Sequence, residues 1–291
     1  MIYYCVKTSE FLSDILDRAS RDAEYFCLMD VPLAKAEAII AKFSQRYNLE
    51  QTPRQRNYRL QQKPVVDLVV LLNHNLFKVE KVRLCLLCTV PKELRGTPQN
   101  CSELLAKAYA LSKDQFEEFT SVFDRRNRLV YRSAIYLSSD KTSEDPQKEK
   151  KSVAVYELVQ LPFTLEQRKK KEIDKTIGWT WRIHPKYMQL KKDSLTKLCQ
   201  RFQGIKDTAQ QDRYVLAELQ TMWRLVGFRG VREDIFKYNK SISGIYLKNF
   251  NRKFKMDFMI PSYERKQKHV VQDFAEMLKY QQELRNKLKS V

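Results

Sequence analysis

The run VVDLVVLLNHNLFKVEKVRLCLLCTV, residues 65–90, decides the fold of this chain. Val65–Leu72 and Val82–Val90 are β-branched and leucine-rich and of strand length, so they read as two strands near the middle of a sheet. The polar segment His74–Lys81 between them is long for a tight turn but sufficient for a looser hairpin. Towards the amino end, Ile2–Val6 reads as a short strand. Thr8 or Ser9 can cap a helix whose apolar residues Phe11, Leu12, Ile15, Leu16 and Ala19 recur at helical spacing. Pro32 can open a second helix carrying Ala36, Ile39, Ile40 and Phe43 on one face. The polar, basic stretch Gln51–Pro64 reads as an exposed loop.

Towards the carboxyl end, Ser102–Leu111 and Asp114–Arg126 read as helices, and Leu129–Leu137 and Val153–Leu161 as strands joined by a mobile loop, Ser138–Ser152. After Pro162 the character changes. Lys186–Phe202, Thr208–Leu225, Val231–Phe254 and Ser262–Leu288 lack long β-branched runs and place apolar residues three and four apart, as helices do. The expectation is an α+β protein: a domain of residues 1–162 with a mixed sheet and helices, then a basic, mainly helical region of residues 163–291.

Charge separates the halves more sharply than hydropathy does. Of 291 residues, 54 are Lys or Arg and 35 Asp or Glu. Residues 1–150 hold 24 cations against 20 anions, whereas residues 151–291 hold 30 against 15. Like charges repel in a compact state, so a surplus confined to one half points to a polyanionic partner, nucleic acid first.

Other chemistries lack their motifs. The six glycines are mostly far apart, which leaves no phosphate-cradling loop and no dinucleotide fingerprint, and no cofactor is expected. No signal peptide or membrane-length apolar window is present, so the chain reads as soluble and cytoplasmic with no membrane partner, its six cysteines reduced. Cys85 and Cys88 have CxxC spacing but sit inside a strand-like run, not on a turn that could aim both sulfurs at one ion, so no metal is expected. No GxSxG elbow and no two-histidine nuclease motif occurs. His74, between Asn73 and Asn75, is the weak catalytic candidate, since a metal-independent RNA endonuclease can work with one histidine plus a tyrosine and a lysine.

The sharpest local feature is WRLVGFRGVRED, Trp223–Asp234. Gly227 can end one helix and Gly230 permits close approach at the start of the next, giving a helix, a turn and a helix. The second helix presents Arg229, Arg232, Lys237 and Lys240 near its beginning and Arg252 and Lys253 towards its end, placed for phosphate contacts. The alternative is an ordinary helical hairpin with a solvated basic face. A second candidate surface combines Trp181, in IGWTWRIHP, with Lys191, Lys192, Lys197 and Arg201, because rings stack on bases while cations hold phosphates. Against this, Trp179 and Trp181 alternate as on a strand, which suits a core residue.

The Trp223–Asp234 stretch resembles a short pattern in proteins of integrating conjugative elements and conjugative plasmids. The resemblance covers about a dozen residues and carries over no catalytic residue. It implies a bacterial mobile-element protein concerned with DNA maintenance or transfer, and favours DNA over RNA. The reading that follows is a non-catalytic nucleic-acid-binding protein, an accessory DNA-binding protein of a mobile element. The alternatives are a metal-independent endoribonuclease or RNA-binding protein, and a subunit whose basic face docks an acidic protein.

Overall fold

The two apolar runs are the central strands of a five-stranded sheet. In the computed structural model, which describes residues 1–72, 81–95, 100–112, 114, 123–134, 152–166, 173–254, 257–262 and 271–289, β3 (Val65–Leu72) pairs antiparallel with β4 (Lys81–Thr89). β1 (Ile2–Cys5) runs parallel to β3 on one side, and β2 (Ala23–Pro32) antiparallel to β4 on the other. β5 (Asp124–Arg125) closes the far edge of β2, giving the order β1-β3-β4-β2-β5. Every residue of β3 is buried, which is why its sequence does not alternate: both faces of the sheet are covered.

On one face, α1 (Thr8–Ser20) contributes Phe11, Leu12 and Ile15. On the other, Val66, Leu68 and Val70 pack with Phe43 and Tyr47 of α2 (Leu33–Tyr47), Leu105 of α4 (Cys101–Ala108), and Phe274 and Met277 of α8 (Phe274–Lys289). The expected loop at Gln51–Pro64 contains a helix, α3 (Pro53–Leu60). Its ends explain it: Thr52 Oγ1 accepts from Gln55 N while Gln55 Oε1 accepts from Thr52 N, a capping box with proline in the first turn. Arg56 of α3 chelates the fully buried Asp67 of β3, its nitrogens 2.7 and 3.0 Å from Oδ2.

Other boundaries shift. Thr8 begins α1 instead of capping it, and the carboxylate of Glu10 accepts from the main-chain nitrogens of Val6 and Lys7. Asp124–Arg126, expected as the end of a helix, form β5 and the start of a 3-10 turn. The loop expected at residues 138–151 lies outside the described residues.

The chain divides into two compact units, residues 1–129 with 266–291, and residues 130–265. The second unit holds an antiparallel sheet, β6 (Val130–Ala134), β7 (Ser152–Glu166) and β8 (Ile173–Ile183), followed by α5 (Pro185–Arg201), α6 (Thr208–Trp223) and α7 (Arg229–Phe250). α7 packs on β8 and on α5, and α5 also packs on α6. Together the units make an α+β protein, an N-terminal mixed-sheet region with interspersed helices followed by a mostly helical C-terminal region.

The units do not part at residue 162, where a boundary was expected. Pro162 lies inside β7, paired opposite Ile177. β6 pairs with β7 no further than Glu157, so at Pro162 the ladder has one open side, the setting in which a strand tolerates a residue without N–H.

Candidate nucleic-acid interface

α7 is fastened to its unit through the motif that opens it. A Cβ at Gly230 would fall 2.7 Å from the Trp181 carbonyl oxygen, so the first turn of α7 lies directly against β8. Thr180 Oγ1 accepts from Gly230 N at 3.2 Å, and Asp234 Oδ2 accepts from Ile183 N at 3.0 Å. Among the described strands β8 pairs only with β7, and these two bonds join it to the start of α7. A Cβ at Gly227 would meet the carbonyl oxygens of Pro261 and Ser262 at 2.6 and 2.4 Å. Trp223 Nε1 donates to Asn239 Oδ1 at 3.2 Å, and Val226 N donates to the Tyr156 hydroxyl at 3.0 Å. Most of Trp223–Asp234 is thus explained by packing, with Arg224, Arg232 and Glu233 left exposed.

The expected phosphate ligands separate into two groups. Arg229 donates to the carbonyl oxygens of Pro162 and Leu161 at 2.6 and 3.1 Å and lies 3.6 Å from Glu233. Arg252 donates to Asp212, to the Thr208 carbonyl and to Gln211, and lies over the Tyr246 ring, tying the chain after α7 to the start of α6. Lys191 pairs with Glu218 at 3.1 Å and reaches Thr221. These three cations are held by internal partners. Arg232, Lys237, Lys240 and Lys253 are exposed and make no ion pair with a described residue. The same holds for Lys197 and Arg201 on α5, while Lys192 is half-buried.

The stacking role expected for Trp181 is not open to it. Its ring is 0% exposed, and an enclosed indole cannot stack on a base. The alternation of Trp179 and Trp181 was the sign of a strand, β8, whose inward position 181 occupies. His74 and the basic run Arg168–Lys171 lie outside the described residues.

Reading the sequence missed Phe236. It is half exposed on α7, with Lys240 Nζ 4.5 Å from its ring centroid, an arrangement in which the ammonium faces the ring's negative surface. An aromatic four residues before a lysine on the polar face of a basic helix was the available signal. With Arg232, Lys237, Leu247 and Lys248 it forms an outward face of cations interleaved with apolar groups.

All six cysteines are buried and free, and burial pushes the Cys27 thiol up to about 12. Cys85 and Cys88 are three apart on β4, so their side chains leave opposite faces of the sheet. Among the described residues, no group of three or more His, Cys, Asp or Glu is placed to hold a metal ion, and no helix is long and apolar enough to cross a membrane. Comparison with family models, with curated proteins and with solved structures finds no match.

Proposed function

We propose that the second unit binds nucleic acid, without chemistry on it, through the outward face of α7. One observation carries this reading. Arg232, Lys237, Lys240 and Lys248 stand exposed without ion pairs to described residues, while of the two acidic residues of the same helix Asp234 is drawn to Arg182 and the Ile183 amide and Glu233, still exposed, lies 3.6 Å from Arg229. The strip from 232 to 248 therefore carries those four cations against one exposed anion, Glu233, and runs about 24 Å at 1.5 Å per residue, long enough to follow several consecutive phosphates. Fixed charge of one sign costs the folded state through self-repulsion, and a polyanion offsets that cost.

DNA as the nucleic acid, and an accessory role in the maintenance or transfer of a mobile element, rest on the resemblance of Trp223–Asp234 and belong to the same proposal, as does the cytoplasmic location expected from the sequence. The test is the salt dependence of binding to a labelled DNA duplex. The full chain should bind with a logarithmic slope that becomes shallower by about 0.9 for each phosphate contact removed, as in a variant carrying Arg232→Gln, Lys237→Gln and Lys240→Gln. A slope unchanged in that variant would show that α7 does not touch phosphate. A retained partner that survives nuclease treatment would show that the face serves an acidic protein instead.

A further inference from the structure

Phe202, at the carboxyl end of α5, and Tyr214, on the second turn of α6, lie ring on ring, with centroids 4.3 Å apart and planes 6° from parallel. The pair is at the surface. Tyr214 remains 39% exposed although Phe202 covers one of its faces, and its hydroxyl accepts from Gln210 Nε2 at 3.5 Å.

The corner that presents it is fixed from beneath. Gln211, itself buried, donates to the carbonyl oxygens of Phe202 and Ile205 at 3.0 and 2.8 Å. Gln203 donates to Asn249 of α7 at 3.1 Å. An exposed ring held this way loses little freedom when something stacks on it.

The charges around the corner are sorted by sign. Asp207 caps α6, accepting from the main-chain nitrogens of Ala209 and Gln210, and Asp212 is held by Arg252 and the Tyr246 hydroxyl. Arg201, Lys206 and Arg213 are exposed and make no ion pair with a described residue, and the Arg201 guanidinium lies 5.7 Å from the Phe202 centroid. An exposed aromatic ring with unpaired cations beside it, its neighbouring anions each held by a partner, is the arrangement that takes an unstacked base together with its phosphates.

We infer that the Tyr214–Phe202 pair is a stacking platform, and that the second unit takes single-stranded nucleic acid in preference to duplex. In a duplex the base faces are already stacked on each other, and only a single strand can lay one on Tyr214. The inference rests on the proposed nucleic-acid binding and adds the form of the strand.

The experiment uses the full chain and two fluorescein-labelled probes, an oligo(dT) of about 15 nucleotides, within the reach of a single-strand site, and a duplex of equal length. The single strand should bind more tightly than the duplex. Tyr214→Ala should weaken single-strand binding about tenfold or more, within the range of one lost stacked base, and leave duplex binding nearly unchanged. Tyr214→Trp should restore the affinity, and its fluorescence should be quenched by oligo(dT). Equal binding of both probes by the wild type, or single-strand affinity unchanged in Tyr214→Ala with no quenching in Tyr214→Trp, would overturn the platform and leave the α7 reading standing if the salt slope persists. Failure of the wild type to bind either probe would sink the α7 reading itself.

Discussion

Gly230 N donates to Thr180 Oγ1 across 3.2 Å, and at that point a methyl group on residue 230 would collide with the main chain of β8. Fourteen residues later on the same helix, Gly244 has open space where a Cβ would stand, with nothing within 4 Å. The two glycines should therefore answer the same substitution with opposite signs. Gly230→Ala forces helix and strand apart and should cost about 1–3 kcal/mol, as overpacking does, despite alanine's better helix propensity. Gly244→Ala should gain about 0.5–1 kcal/mol. Urea denaturation of both variants checks this, and a stabilised Gly230→Ala would show that α7 does not lie against β8.

Arg229 and Arg232 should likewise part company. Arg229→Gln removes a charged donor from the carbonyl oxygens of Leu161 and Pro162 and should cost about 1.5–3 kcal/mol, with the salt slope of binding unchanged. Arg232→Gln should move stability by no more than about 0.5 kcal/mol and make the slope shallower. Thermal melts with salt titrations on the two single variants separate the roles, and a reversed pattern would exchange them.

Asp234 gives the second unit a dependence on pH. Burial lifts its carboxyl above the usual carboxylate range, against the opposing pull of the Ile183 amide, Arg182 and Lys237. A raised pKa means that the folded chain holds this proton more tightly than the unfolded chain. The group's contribution is therefore fully present below the unfolded value and is lost as pH rises through the folded one. Asp234→Asn cannot titrate, so the stability of the variant relative to the wild type should increase as pH rises from about 4, the ordinary carboxylate value, through the raised one. A difference that stays flat across those pH values would mean the carboxyl does not titrate differently on folding.

Fragments give a further check. A piece spanning residues 163–291 loses β6 and much of β7, leaves Arg229 without its two carbonyl partners, and carries α8 away from the apolar face it covers. It should show no cooperative melt, whereas residues 130–265 should melt cooperatively and bind nucleic acid. Cooperative folding of the first fragment would mean that the β6–β7 pairing is dispensable.

Much of the fold was legible because burial writes itself into composition. β3 and β4 sit between two helical layers and are apolar but for Asp67, Lys81, Arg83 and Thr89, and α5, α6 and α7 carry the helical period to within a few residues of their ends. β2 was not legible: in AEYFCLMDVP the residues Glu24 and Asp30 interrupt both continuity and alternation. α3 escaped because it is polar all round, and its helical state comes from Thr52, Pro53 and Gln55 at one end and not from a buried stripe. At the site, Arg229 and Arg232 are alike in sequence, three residues apart on one helix. What distinguishes them is a stretch of β7 67 and 68 residues away, which no local pattern contains.

The placement of α8 has a consequence for how the protein is made. The sheet face of Val66, Leu68 and Val70 is complete only when Val271, Phe274 and Met277 arrive, and the whole of residues 130–265 is synthesised in between. At ordinary translation rates that interval is on the order of ten seconds, long enough for the second unit to fold on the ribosome while the first waits with an uncovered apolar surface. The growing chain is thus most exposed to aggregation when the greater part of it already exists, and a stop codon or nick ahead of α8 would release a correctly folded second unit tethered to a sticky, unfinished first one.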